Sequence, residues 1–274
     1  MAIDIITPIR EVAAYRELLG MLAWRDIRVR YRQSLLGAAW AVAPAALTML
    51  VFVFVFRHTM GLEDLTGGSD LPYPLFAMAG LVPWTFLSNG LNGAVGALLA
   101  NRSLVTKVCF PREVFPLASI LAAGADFLVA GALVVALAAG YAFFTPWEFR
   151  IGTGFWLLPL VVAVQLTLMI GAGLLLAMGN LYYRDVGFIF RALLPLMMFV
   201  TNVVYPLRSP DPAIDRLIRL NPMVPILDGY RAALSPDVAF PYVSFGIAAA
   251  LSLMLCAAGW ALFHAREYEF AERI

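Results

Sequence analysis

RDIRVRYRQSLLGAAWAVAPAALTMLVFVFVF, residues 25–56, sets four arginines (Arg25, Arg28, Arg30, Arg32) in its first eight positions and then runs 24 residues, Gln33 to Phe56, without an ionisable side chain. About 20 apolar residues carry a helix across the hydrocarbon layer of a bilayer. The run is read as a first membrane span over 34–56, with the arginines at the aqueous side of its start. That reading extends along the whole chain.

The 274 residues are 62% hydrophobic and 14% charged, with a mean hydropathy of +0.84. A soluble domain holds about 45–50% apolar and about 25% charged residues, so one globular core cannot absorb this much apolar surface. A net charge of +1 gives no reason to expect a nucleic-acid partner. Further apolar stretches predict spans over 72–98, 114–143, 154–180, 187–205 and 241–264, interrupted only by Asp126 in the third and Arg191 near one end of the fifth. The expected fold class is all-α: a polytopic membrane protein with a six-helix domain over 34–265, an N-terminal interfacial segment 1–33 and a tail 266–274. The first 34 residues hold ten charges and no apolar leader core, so they read as retained structure. Cys109 and Cys256 lie far apart with no CxxC, which argues against a disulfide framework or a metal site.

With the N-terminus inside, the inner segments carry 13 of the 19 basic residues: Arg10, Arg16, the four opening arginines, Arg102, Lys107, Arg112, Arg184, Arg191, Arg266 and Arg273. The positive-inside rule then places both termini in the cytoplasm. Phe143, Phe144, Trp147, Phe149, Phe155 and Trp156 flank the short turn between spans three and four, as a boundary belt requires. Residues 8–32 place Tyr15, Leu18, Leu19 and Leu22 on one helical face, the pattern of an interfacial amphipathic helix. It meets lipid, a partner protein, or both.

The segment between spans five and six, PLRSPDPAIDRLIRLNPMVPILDGYRAALSPDVAF, predicts two short helices. Asp211 is a good N-cap with Pro212 behind it, and the second helix covers about 224–234. Arg208, Arg216, Arg219 and Arg231 on this outer side break the charge rule locally. Non-helical backbone at membrane depth is tolerated only against protein or water. The two helices are read as re-entrant, dipping into the outer mouth; a loop folded on the outer surface is the other reading.

Enzyme chemistry is missing from the pattern. His58 and His264 fall at opposite faces, HExxH is absent, and so is the phosphate-cradling GxxxxGK[ST] loop. Energy for uphill transport must come from an ion gradient or another subunit. Ion-coupled carriers use several intramembrane ionisable groups, and only Asp126 lies well inside a span. It reads either as a polar tie between helices or as part of a proton or substrate path. The loop LLANRSLVTKVCFPREVFPL, 98–117, predicts a helix of one to two turns, capped by Asn101 or Ser103 and ended by Pro111. So stiff a connector can pass a push from a partner into the bundle.

These stretches together resemble the membrane subunits of ABC-2-type polysaccharide exporters, the permeases for O-antigen, capsule and teichoic acid. The first match is Arg25, Asp26, Arg30, Tyr31, Ser34, Leu36, Gly37, Trp40 and Pro44. The second is Asn101, Leu104, Val105, Lys107, Phe110, Pro111 and Arg112, similar to the family's coupling-helix region. Tyr183-Arg184-Asp185-Val186 is the third, and Leu220-Asn221-Pro222 with Asp228-Gly229-Tyr230-Arg231 the fourth. Where the family often has Ser-Pro or Thr-Pro late in span five, this chain has Thr201-Asn202.

The resemblance implies a homodimer of this subunit with two copies of a cytoplasmic ABC ATPase. ATP and magnesium would sit on that ATPase and none on this chain. The cargo would be a lipid-linked glycan crossing the cytoplasmic (inner) membrane among its lipids. Arg102, Ser103 and the second match would couple to the ATPase, with Arg25, Asp26, Arg28, Arg30 and Arg32 at the N-terminal interface. Sugars present hydroxyls and apolar faces, so Tyr73, Trp84, Phe86, Asn89, Asn92, Asp126, Asn202 and Tyr205 are candidates for the path. Arg208, Arg216, Arg219 and Arg231 could meet diphosphate or acidic sugars, or pair with Asp211, Asp215 and Asp228. An ABC-2 permease for a drug or small lipid is the alternative. A membrane enzyme or ion-coupled carrier is disfavoured by the lack of an Asp/His cluster.

Overall fold

The computed structural model describes residues 12, 14–32, 34, 37, 39–59, 66, 69–107, 110–147, 152–206, 218 and 220–270, with the backbone alone at 57–59 and 107. Its elements follow the punctuation of the sequence. Helix α1 covers Arg16–Tyr31. A turn follows at Gly37, whose φ of 48° suits a residue without Cβ. The Ser34 hydroxyl accepts the Gly37 N–H at 3.1 Å. Helix α2, Ala39–Val53, runs on into a π-helical turn Phe54–Thr59. Pro72 caps α3, Tyr73–Ala100. Short α4, Arg102–Lys107, leads to α5, Val114–Phe144, and α6, Thr153–Tyr182. Helices α7, Asp185–Val200, α8, Met223–Leu234, and α9, Tyr242–Arg266, complete the described elements.

Helix α3 is the hub, packed against α5, α6, α2 and α8, while α6 packs on α9 and α8. The long helices alternate in direction. One end of the bundle, here called proximal, carries α1, α4 and the end of α9; the other, distal, carries α8. Between α6 and α9, a Cβ on Gly259 would stand 2.6 Å from the Gly171 carbonyl oxygen. Small residues let helix backbones approach where lipid removes the hydrophobic drive to associate.

Among the described residues, four helices are long and apolar enough to cross a membrane: Ala39–Phe56, Val114–Phe144, Thr153–Tyr182 and Tyr242–Glu269. These match the expected first, third, fourth and sixth spans. The second expected span is helical over 28 residues but carries Ser88, Asn89 and Asn92, which lower its hydropathy. The fifth differs from expectation. Its helix ends at Val200 rather than 205, and its 16 residues rise only ~24 Å against a ~30 Å hydrocarbon layer. The chain then turns inward, with Thr201, Asn202, Val203 and Val204 buried outside any helix.

Helix α8 lies close to its expected position, and ten of its twelve residues are buried. It is inserted among α3, α6 and α9 rather than folded on a surface. The helix expected from Asp211 lies outside the described residues. Helix α1 rests against α5 of its own bundle, with Leu22 and Ala23 buried.

Candidate functional site

At the distal end one buried cation organises irregular backbone. Arg231 on α8 is 2% exposed. Its Nη2 donates to the carbonyls of Asn202 and Val203, the latter at 2.8 Å, and its Nη1 donates to Asp228 Oδ1 at 3.2 Å. The guanidinium lies over the Phe76 ring, 3.8 Å from its centroid. Asn202 Nδ2 donates to Asp228 at 2.6 Å, and Asn221 Nδ2 to the Thr201 hydroxyl at 2.9 Å. Gly80 permits the approach, since a Cβ there would stand 1.9 Å from the Val203 oxygen. Arg231 was expected at the outer mouth, meeting cargo or pairing with an aspartate; it pairs with Asp228 but is buried rather than at a surface, and it also staples carbonyls freed by the end of α7, which need a donor in a dry place. Arg208, Arg216 and Arg219 lie outside the described residues.

A second buried network ties α8 to the hub. Tyr230 donates to Gln165 Oε1 at 2.6 Å, and Gln165 Nε2 donates to the Pro83 carbonyl at 2.8 Å. Asn180 does the same work proximally, donating to the Val95 carbonyl at 2.8 Å and accepting the Gly187 N–H at 3.1 Å. Sequence reasoning passed over both, although Gln165 and Asn180 are conspicuous polar residues within an uncharged span.

Below this plug α3 shows a polar face. Thr85, Ser88, Asn89, Asn92 and Gly96 recur at helical spacing, and all are partly or fully exposed. The distal half of α3 is buried on every side from Leu75 to Trp84. Of the residues expected along a path, Asn89 and Asn92 lie on this stripe, and the buried Asn92 Oδ1 lacks a hydrogen-bond partner. Trp84 and Phe86 do not: both belong to the core, with Phe86 stacked on Phe127 at 4.8 Å between centroids. An aromatic on a nearly all-apolar helix carries no mark of which face it takes. Tyr73 and Tyr205 anchor the distal segment, donating to the carbonyls of Val204 and Phe199. Asn202 is buried within the Arg231 network.

The proximal end gathers the remaining candidates. Asn101 does not cap α4 with its side chain. Its Oδ1 accepts Arg25 Nη1 at 2.9 Å and its Nδ2 donates to the Ala97 carbonyl. On α4, Val105 is buried while Arg102, Ser103 and Thr106 are exposed. Leu104 and Phe110 pack partly against the same core as Val105. Lys107 is placed by backbone alone. After Pro111, Arg112 Nη1 donates to the Glu267 carbonyl.

Buried Glu113 meets His264 Nδ1 at 3.3 Å, and His264 meets Glu267 at 3.4 Å. Glu267 stands in the 3₁₀ turn beyond α9. Burial first, then the Glu113 carboxylate, pushes its pKa up to about 7. By residue type Glu113, His264 and Glu267 could hold a metal ion, their ligand atoms lying within 4.8 Å of one another. Arg112 already supplies positive charge beside them.

Asp126, expected either as a tie between helices or on a path, faces α1. Its Oδ2 accepts Arg30 Nη1 and its Oδ1 accepts the Tyr31 hydroxyl at 2.6 Å. Burial, then Asp126, pushes the Tyr31 phenol up to about 12, so it stays a donor. Arg25 also pairs with Asp26 at 2.8 Å. Arg28 lies 5.2 Å over the Trp24 ring and lines an open groove with Arg25, Tyr31 and Arg32.

Residues 17–235 match the pattern of the family described as ABC-2 type transporter. The chain is 34% identical to the O-antigen export system permease protein RfbA of Myxococcus xanthus, over 97% of this chain and 98% of that relative. An RfbA of Klebsiella pneumoniae is 26% identical over 93% and 94%. The polysialic acid transport protein KpsM of Escherichia coli is 27% identical over 89% and 91%.

Proposed function

The chain belongs to the ABC-2 type transporter family, and from that premise we propose that it is the permease of an ATP-driven exporter for a lipid-linked polysaccharide of the O-antigen kind. The observation that carries a transport path is the polar stripe of α3. Asn89 is exposed, and Thr85, Ser88, Asn92 and Gly96 are partly so, in an otherwise apolar bundle. A bilayer gives such a face no hydrogen bonds; a glycan or a second copy of the chain does. The glycan class follows from the relatives named for O-antigen export and polysialic acid transport.

In this reading the proximal end is cytoplasmic and the protein is a multi-pass component of the inner membrane with both termini inside. Two copies form a homodimer, each taking one cytoplasmic ATPase that binds ATP and magnesium. The exposed face of α4 (Arg102, Ser103, Thr106) receives the ATPase, and buried Val105 carries its motion into the core. Movement of α8 and 201–206 away from Gly80 opens the distal end. Binding energy released on the ATPase does work only if it favours that second arrangement.

Deletion of the gene tests the reading. Surface glycan should disappear and its lipid-linked precursor accumulate inside, with both reversed by the wild-type gene. The tagged chain should copurify with an ATPase carrying phosphate-binding motifs. Unchanged surface glycan in the deletion strain would refute the proposal.

A further inference from the structure

We propose that Asp126 is a positioning residue that pins α1 to α5, so that α1, α4 and the start of α5 move together; the inference rests on the transport reading above. Helix α1 holds the residues on either side of α4. Just before α4, Asn101, the C-cap of α3, accepts a hydrogen bond from Arg25. On α5, beyond α4, Asp126 accepts hydrogen bonds from Arg30 and Tyr31 at the end of α1. Between these points Leu22 and Ala23 share one apolar cluster with Val105, Val114, Phe115, Ala118 and Ala122. The Tyr15 ring meets Phe110 at 6.4 Å.

Asp126 stands ~18 Å along α5 from Val114. A carboxylate at that depth is costly unless paired, and Asp126 is only 7% exposed. Each of its oxygens takes one partner from α1, so its demand for donors is met within the chain. Apolar contact alone is non-directional and lets two helices slide. A carboxylate held by a guanidinium and a phenol on successive residues fixes both register and rotation. A push on α4 is therefore shared by α1 and α5 instead of being lost in slippage between them. Asp126 then touches neither the glycan nor a transported proton.

The test uses the full transporter in proteoliposomes and reads ATP hydrolysed per glycan exported. A residue needed only for folding lowers both rates together and leaves that ratio unchanged. Asp126→Ala should raise the ratio at least five-fold, and Asp126→Asn, which keeps an acceptor but no charge, by less. The exchange Arg30→Asp with Asp126→Arg should recover at least half of the loss. In parallel, Ala23→Cys, in a chain with Cys109 and Cys256 replaced by Ser, reports on α1 directly. Ala23 is 3% exposed, so maleimide labelling should be slow and should quicken at least ten-fold with Asp126→Ala or Asp126→Asn.

An unchanged ratio with Ala23→Cys still protected would overturn the pin. So would an exchange that recovers nothing, since the carboxylate would then act by itself. If Asp126→Ala is not recovered folded, Asp126→Asn decides by the same two readouts. If the wild-type transporter exports no glycan, the transport reading fails, and the labelling still decides the α1–α5 contact.

Discussion

Replacing Arg231 by Met tests the distal staple most directly. Met keeps an unbranched apolar stem but removes every donor. Two buried carbonyls, of Asn202 and Val203, would lose their partner. An unsatisfied buried polar group costs ~1–3 kcal/mol, which totals ~2–6 kcal/mol. The Asp228 pair adds little, because Asp228 is 37% exposed and water screens it. Removing a buried guanidinium also returns part of its desolvation cost. The net expectation is a loss of ~2–4 kcal/mol, or a fall of ~5–15 °C in apparent Tm by the soluble-domain conversion. The assay is thermal unfolding of the full chain in detergent, followed by size-exclusion fluorescence. Gly80→Ala strikes the same contact through backbone, since its Cβ would overlap the Val203 oxygen, so the double variant should lose less than the sum of the singles. A Tm for Arg231→Met within ~2 °C of wild type would refute the reasoning, because the 201–206 carbonyls would not then depend on Arg231.

Three further outcomes are expected. Gly259→Val should lower Tm by forcing α9 away from the Gly171 carbonyl, at ~1–3 kcal/mol for overpacking, whereas Gly246→Val, with nothing within 4 Å of its Cβ, should not. Asn89→Leu with Asn92→Leu should cut glycan export several-fold with Tm held or raised, measured as surface glycan against membrane-protein amount; full export would remove the stripe from the path. The folded state holds the Glu267 proton up to about pH 7, against an ordinary 4.5. Between those values it binds more protons than the unfolded chain, so stability falls as pH rises through that window. Glu267→Gln should therefore flatten the drop in Tm between pH 5 and pH 8 and melt above wild type at pH 8; equal drops would contradict the cause assigned, which lies in burial beside Glu113, with His264 and Arg112 opposing it.

How far each feature was legible follows from what kind of contrast it needed. The start of the second short helix is a local signal, so α8 lies within a residue of its expected start. The distal end of α7 was less readable: Thr201-Asn202 offers no helix-breaking proline, and the helix stops because the chain bends inward to meet Arg231. Asn89 and Asn92 could be singled out because an amide on an apolar helix stands out. Trp84 and Phe86 could not be placed, since an aromatic suits core, lipid and sugar alike. The pairing of Arg231 with Asp228 was legible and its burial was not, because four arginines on one side look like surface charge until the helices meet.

By itself, the sequence determined that the chain is helical and crosses a membrane. Uncharged runs such as Gln33 to Phe56 carry that message in length and hydropathy alone, and backbone hydrogen bonds inside a bilayer leave a helix as the way to satisfy them. Its ordered motifs, from Arg25-Asp26 to Tyr230-Arg231, pointed to the exporter family. Only the tertiary structure decided what the charged residues hold. Asp126 finds Arg30 across 96 positions and Arg231 finds Asn202 across 29. The reason is physical: where lipid and core are both apolar, hydropathy no longer says which face of a helix turns inward, and the pairing of a buried charge is settled only when the helices meet.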